Sequence, residues 1–167
     1  MSEGKYGQEF VRHEFDEAIA VQQAIVDGER ELANVHPDAE SKRAIRKSLK
    51  RDELLLDELQ QLGQPYGATG EVEEVAGGLQ QLMKETVEKA GEAESEAYEA
   101  HAVLINLKRK QQDSAAAMVK IAREMNENDL RDSAKEFHTS QKESAQELAD
   151  VLADFAVVIA TKEPARN

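Results

Sequence analysis

The stretch LRDSAKEFHTSQKESAQELADVLADFAVV occupies residues 130–158. Taking every third and fourth residue picks out Leu130, Ala134, Phe137, Gln141, Ser144, Leu148, Val151, Phe155 and Val158. That spacing is the core-facing stripe of one long amphipathic helix. The stripe is apolar at both ends and polar in the middle, at Gln141 and Ser144. A polar pair on a buried face costs free energy unless something satisfies it. Its partners are to be sought on the other helices.

Three more long helices and one shorter one can be read outward from this one. The first spans about Gln8 to Asn34, with the stripe Val11, Phe15, Ala18, Gln22, Ile25, Glu29 and Leu32. His36-Pro37-Asp38 breaks it, and Asp38 is placed to cap a second helix over Ala39 to Leu62. That helix carries Ile45, Leu49 or Ser48, Asp52, Leu55, Leu56, Leu59 and Leu62. Gly63 and Pro65 stop it. Gln64 to Gly91 is too long for a turn. It reads as a loop followed by a crossover helix from Glu71 to Ala90, weakened by Gly77 and Gly78. The next helix runs from Glu92 to Asn126. Its stripe is Ala93, Ala97, Ala100, Leu104, Leu107, Gln111, Ser114, Met118, Ile121 and Met125. Short turns make the first pair and the last pair antiparallel hairpins. The expected fold is an all-α four-helix bundle with an additional crossover helix, built as one domain over residues 8–161. A flexible leader (1–7) and tail (162–167) flank it.

Composition agrees and narrows the function. Charged residues make up 33% and aromatic residues 4%, and there is no tryptophan. The net charge of −13 argues against nucleic acid, whose phosphates need a basic face. One basic cluster stands out, at Lys42, Arg43, Arg46, Lys47, Lys50 and Arg51. It reads as a solvated face pairing with the acid-rich stretch Glu71 to Glu99, or else as a docking patch for an acidic partner. With no cysteine, thiol chemistry, iron–sulfur clusters and disulfides are excluded. The polar start shows no signal peptide, and the longest apolar run is too short to span a membrane. The expected location is cytoplasmic.

Counting from each hairpin turn puts Gln22, Asp52, Gln111, Gln141 and Ser144 within about one helical turn in height, at ~1.5 Å per residue. These five form an expected polar core layer. The stretches Glu53-Leu54-Leu55-Leu56-Asp57-Glu58-Leu59-Gln60-Gln61-Leu62-Gly63, Gly78-Leu79-Gln80-Gln81-Leu82, Ala102-Val103-Leu104-Ile105 and Ser140-Gln141-Lys142-Glu143-Ser144-Ala145-Gln146-Glu147-Leu148 resemble the YciE/YciF-like branch of the ferritin-like superfamily. The resemblance implies a ferritin-like bundle, a di-iron or di-manganese centre in the mid-height layer, and a role in stress physiology. The departures lie in the ligands. Carried over by position, the first-helix glutamate falls on Gln22. The second-helix histidine and acid fall near Ser48 and Arg51 or Asp52. The third-helix pair falls near Gln111, Gln112 and Asp113, and the last glutamate falls on Ser140 or Gln141. No Glu-x-x-His occurs at His13, His36, His101 or His138. A neutral amide is a poor ligand for iron, and one acid cannot neutralise two such ions.

Two functions from different classes follow. The first is a non-catalytic bundle without catalytic, cofactor or metal residues, acting by self-association or by binding a protein partner. The second is a metal-binding protein for iron or manganese storage or oxidation, using Asp52 or Glu29. A phosphotransfer bundle using His101, with Lys108 or Arg109 beside it, is a third. Glu29 is expected to reach solvent or Arg46. His13, His101 and His138 are expected to be half-buried packing residues, and Met83, Met118 and Met125 to fill gaps. The surplus ends of the last two helices, with Phe155, Val157 and Ile159, call for cover from the crossover helix or a second subunit, so a homodimer is expected.

Overall fold

The computed structural model describes residues 4–72 and 75–163. Five α-helices account for most of them: α1 (Gly7–Val35), α2 (Ala39–Gly63), α3 (Val75–Lys89), α4 (Glu94–Glu124) and α5 (Asn128–Thr161), with a 3-10 turn at Gln64–Tyr66. Among the described residues there is no strand. No helix there is long and apolar enough to cross a membrane. Residues 1–3 of the expected leader, 73–74 of the expected crossover helix and 164–167 of the expected tail lie outside the described residues.

The order around the bundle follows from the helix faces. α1 packs on α2 and α4, and α5 packs on α2 and α4, so α1 lies diagonal to α5 and α2 to α4. α3 lies outside, across the seam between α1 and α4. Val11 and Phe15 of α1 meet Met118 and Ala122 of α4 and Leu130 and Ala134 of α5 at one end. Leu32 and Ala33 share the opposite end with Ala97, Ala100, Leu148 and Phe155. α1 and α5 therefore run one way, and α2 and α4 the other. The parallel pair is possible because α3 carries the chain back along α1. Gln80 Nε2 donates to the Ala20 carbonyl at 3.1 Å, and Met83 packs where Gly28 has no Cβ. A Cβ at Gly28 would lie 2.9 Å from Met83 Cγ.

Local chemistry sets the boundaries. Asp38 is extended and accepts from the Ser41 amide at 2.8 Å, which fixes the start of α2. The crossover helix begins later than Glu71. Asp16 Oδ1 accepts from the Thr69 and Gly70 amides at 2.8 and 3.0 Å, and Gly70 sits at φ 81. These bonds pin the loop to α1 in a non-helical shape through Val72. α4 starts at Glu94 rather than Glu92, because Ala93 is extended. It ends at Glu124, where Asn126 turns left-handed (φ 59). The end of α5 also departs from expectation. Val158, assigned to the buried stripe, is 51% exposed. Ile159, four residues after Phe155, packs on the core instead. Phe155 is buried within the chain, and Val157 is exposed.

Candidate functional site: a buried layer closed by an ammonium

At mid-height the four bundle helices each turn polar side chains inward. Gln22, Asp52, Gln111, Gln141 and Ser144 are all buried, and so are Glu29, Ser48 and Lys108. The five expected residues meet as one network. Gln22 Nε2 donates to Asp52 Oδ1 at 2.9 Å and to its carbonyl at 3.1 Å. Gln111 Nε2 and Gln141 Nε2 each donate to Gln22 Oε1 at 3.1 Å. Gln141 Nε2 also donates to Asp52 Oδ1 at 2.7 Å, and Gln111 Nε2 to the Ala18 carbonyl at 2.8 Å. Ser144 Oγ lies 2.8 Å from Ser48 Oγ.

Three further residues, none of them among the five expected, complete the layer. Lys108 has no exposed surface. Its Nζ donates to Asp52 Oδ2 and sits 2.9 Å from Glu29 Oε1. Glu29 reaches neither solvent nor Arg46. It is fully buried and its Oε1 is 2.5 Å from Ser48 Oγ. The reason is length: the four-carbon stem of Lys108 crosses the core from α4 and delivers a charge to α1 and α2. Ser48, an alternative to Leu49 in the sequence, turns inward to link Glu29, Asp52 and Ser144.

The hydrogens of Ser48 decide the protonation of the layer. Ser48 Oγ has three oxygen neighbours: Glu29 Oε1, Asp52 Oδ2 at 3.1 Å, and Ser144 Oγ. A hydroxyl has one hydrogen to give and two lone pairs. Facing two ionised carboxylates, it would leave one close contact without a hydrogen. If Glu29 carries a proton, Glu29 and Ser144 donate to Ser48 and Ser48 donates to Asp52, so all three contacts are made. Electrostatics points the same way. Burial pushes the Glu29 pKa up to about 8; the Lys108 charge opposes this and Asp52 adds to it. For Asp52, burial also acts upward, but the Lys108 ammonium and the hydrogen bonds from its neighbours hold the carboxyl below its ordinary value. One ammonium, one carboxylate and one neutral acid sum to zero charge. Glu29 Oε2, Gln111 Oε1 and Gln141 Oε1 are left without a protein partner.

The di-metal centre implied by the resemblance does not fit this set. Both oxygens of Asp52 are taken by Gln22, Gln141, Ser48 and Lys108. Glu29 holds a proton, three of the other side chains (Gln22, Gln111 and Gln141) are neutral amides, and a lysine stands between the acids. An ammonium and a divalent ion cannot share that space.

A second buried group lies nearer the α1–α2 turn. His36 and His101 are both fully buried, whereas His101 was expected to be half-buried. The Asp38 amide donates to His36 Nδ1 at 3.1 Å. His36 Nε2 therefore carries the hydrogen and donates to His101 Nδ1 at 3.3 Å, and His101 Nε2 donates to the Leu148 carbonyl at 2.9 Å. Phe155 tilts against His36 at 4.8 Å between ring centroids. Burial lowers both histidine pKa values to about 4. The chain of donors uses both ring nitrogens of His101, so no ring nitrogen faces solvent to accept a phosphoryl group. Lys108 is committed to the acid pair, and the phosphotransfer reading is set aside.

Two groups lie at the surface. Among the described residues, His13, Glu14 and Glu17 are a group of three metal-capable side chains whose ligand atoms converge within 4.8 Å. Lys5 Nζ lies 3.0 Å from His13 Nδ1 and Lys110 Nζ 3.9 Å from Glu17, so two cations already serve these groups. Among the described residues the basic cluster of α2 does not pair with the acids of the stretch from Glu71 to Glu99, because α2 touches neither α3 nor α4 along its backbone. Lys47 bonds Glu147 of α5 at 3.0 Å and Arg43 bonds Glu40 at 2.9 Å. Family models, curated proteins and solved structures were all compared with the chain, and none of them gives a match.

Proposed function

We propose that this chain is a ferritin-like bundle whose metal centre has been replaced by a neutral hydrogen-bonded layer. On this reading it has no catalytic role and acts through its surface, by self-association or by binding a partner, in the stress setting that the resemblance implies. The observation that carries the reading is Lys108, whose buried ammonium lies between Glu29 and Asp52 where a metal ion would otherwise bridge acids. The up-down-down-up course of the four bundle helices supports the ferritin-like part. It places residues of all four helices in one layer, as that superfamily does. A layer without net charge and without an open coordination position has nothing with which to bind oxygen or cycle electrons. Its use is to fix helix register, at some cost in stability compared with an apolar core.

The competing reading, iron or manganese storage or oxidation, has one point in its favour. Glu29 Oε2, Gln111 Oε1 and Gln141 Oε1 are buried acceptors without a protein donor. It requires Lys108 to leave the layer. Elemental analysis of protein purified without chelators from metal-supplemented medium separates the two. The proposal expects less than a tenth of an equivalent, on the order of trace binding by surface acids. Two equivalents of iron or manganese per chain, lost on Asp52→Asn, would overturn it.

A further inference from the structure

The charge of this protein is unevenly placed. Residues 42–51 carry six of the 21 lysines and arginines and no acid. The other 15 face all 34 aspartates and glutamates, so the rest of the chain stands at −19. Within the α2 stripe, Arg43 and Lys47 find acids in their own chain. Lys42, Arg46 and Lys50 make no ion pair among the described residues, and Arg46 and Lys50 are exposed. The acids that would be their natural partners lie across the molecule. Glu88 at the end of α3, and Glu92, Glu96 and Glu99 around the start of α4, likewise make no ion pair among the described residues. Glu88, Glu92 and Glu99 are exposed and Glu96 is half-exposed. α2 packs only on α1, α5 and the 3-10 turn, whereas α3 and α4 form the other side of the bundle. One chain cannot bring the two groups together.

From this we infer that the α2 stripe is a docking surface for the Glu88–Glu99 acidic patch of a second copy of this chain. The inference deepens the self-association half of the proposed function and rests on it. The two patches are different surfaces on opposite sides, so the contact is heterologous: each copy offers one patch to the next, and growth beyond a pair is open. A nucleic acid is the poorer occupant, because a stripe of six cations sits on a body of −19 that repels phosphates. Two bodies of net charge −13 also repel one another at long range. At about 0.15 M ionic strength that repulsion is screened beyond about 8 Å, while pairs in contact across the interface keep most of their attraction. Association is therefore favoured near physiological ionic strength and is lost when salt screens the contact pairs as well.

Sedimentation velocity of the full chain over a range of concentration and salt tests this. At about 0.15 M ionic strength the average mass rises above monomer with concentration, and at about 1 M it returns to monomer. Reversing the stripe with Lys42→Glu, Arg46→Glu and Lys50→Glu weakens association by at least about tenfold, since three surface pairs become repulsive. Lys120→Glu, Arg123→Glu and Lys135→Glu change the net charge equally at exposed sites elsewhere and leave association in place. Reversing the acids with Glu92→Lys, Glu96→Lys and Glu99→Lys also abolishes it. Mixing the stripe-reversed and acid-reversed proteins restores a complex, because the signs are again complementary. A chain that stays monomeric at every salt, a dimer insensitive to the stripe reversal, or a mixture that fails to associate overturns the inference. Circular dichroism of each variant verifies its fold, and the metal content of the wild type is a separate readout that bears only on the proposed function.

Discussion

Glu29→Gln isolates the proton that the buried layer is argued to hold. The substitution keeps the side chain's shape and makes permanent the neutrality that the proton confers. In the wild type the folded pKa of about 8 lies above the ordinary carboxyl value of 4.5. The folded state therefore binds the proton more tightly than the unfolded chain. The associated stability is fully present below pH 4.5 and is lost as pH rises through 8. The full gap of about 3.5 pH units, at about 1.4 kcal/mol each, corresponds to an upper value of about 5 kcal/mol. The window pH 6.5 to 9 isolates Glu29 when the two proteins are compared, because the histidines, half protonated in the unfolded chain at pH 6.5, contribute equally to both. Within it the wild type loses about 2 kcal/mol relative to Glu29→Gln. Against a typical total of 5–15 kcal/mol, that is a visible fraction. Urea unfolding at half-unit pH steps, with m checked for constancy, measures the loss. Glu29→Gln is expected to lie within about 1 kcal/mol of wild type at pH 6.5, one hydrogen bond having been rearranged, and to show none of this loss up to pH 9. Parallel profiles for the two proteins would refute the reasoning, since Glu29 would then be ionised throughout.

Other perturbations probe the remaining parts. Lys108→Met leaves the Asp52 carboxylate buried without its cation and is expected to cost about 3–5 kcal/mol in chemical unfolding; adding Asp52→Asn recovers most of that. His36 and His101 have folded pKa values of about 4 against an ordinary 6.5, so their contribution is present above pH 6.5 and lost as pH falls through 4. The loss is at most about 3 kcal/mol per histidine, with Asp38 softening the shift of both and Lys42 adding to that of His36. His101→Leu flattens this acid limb relative to wild type when midpoints are compared between pH 6.5 and 4.5. Gly77→Ala and Gly78→Ala place a methyl where nothing lies within 4 Å, and each is expected to raise stability by up to about 1 kcal/mol in thermal or urea unfolding.

The fold was largely legible because its signal is repeated. Each helix writes its buried face every third or fourth residue, and stop signals such as Gly63 and Asp38 fall where the helices end or begin. The five-residue polar layer was legible for the same reason. Glutamine, aspartate and serine interrupt otherwise apolar stripes at matching heights. Lys108 was missed because the stripe of α4 was followed through Ala100, Leu107 and Ser114. The strict alternation Ala97, His101, Leu104, Lys108, Gln111, Ala115, Met118 and Ala122 contains every one of the buried positions it names and was also present. A lysine there looks like a surface residue until an acid is found to face it. Glu29 on the facing stripe was that acid, and the two charges explain one another only as a pair. His36 gave no such signal. It lies in a turn, outside any period, and its burial depends on Phe155 and His101 arriving from distant parts of the chain.

The ammonium of Lys108 is the centre of the account, and nitrogen-detected NMR of lysine side chains observes it directly. The expected spectrum at pH 7 contains one ammonium signal in slow exchange with water that disappears in Lys108→Met. It stays sharp when manganese(II) is added at two equivalents, with exposed lysine signals as the internal reference. Broadening of that one signal by manganese, or its absence from the wild-type spectrum, would contradict the claim that a lysine takes the place of metal in this bundle.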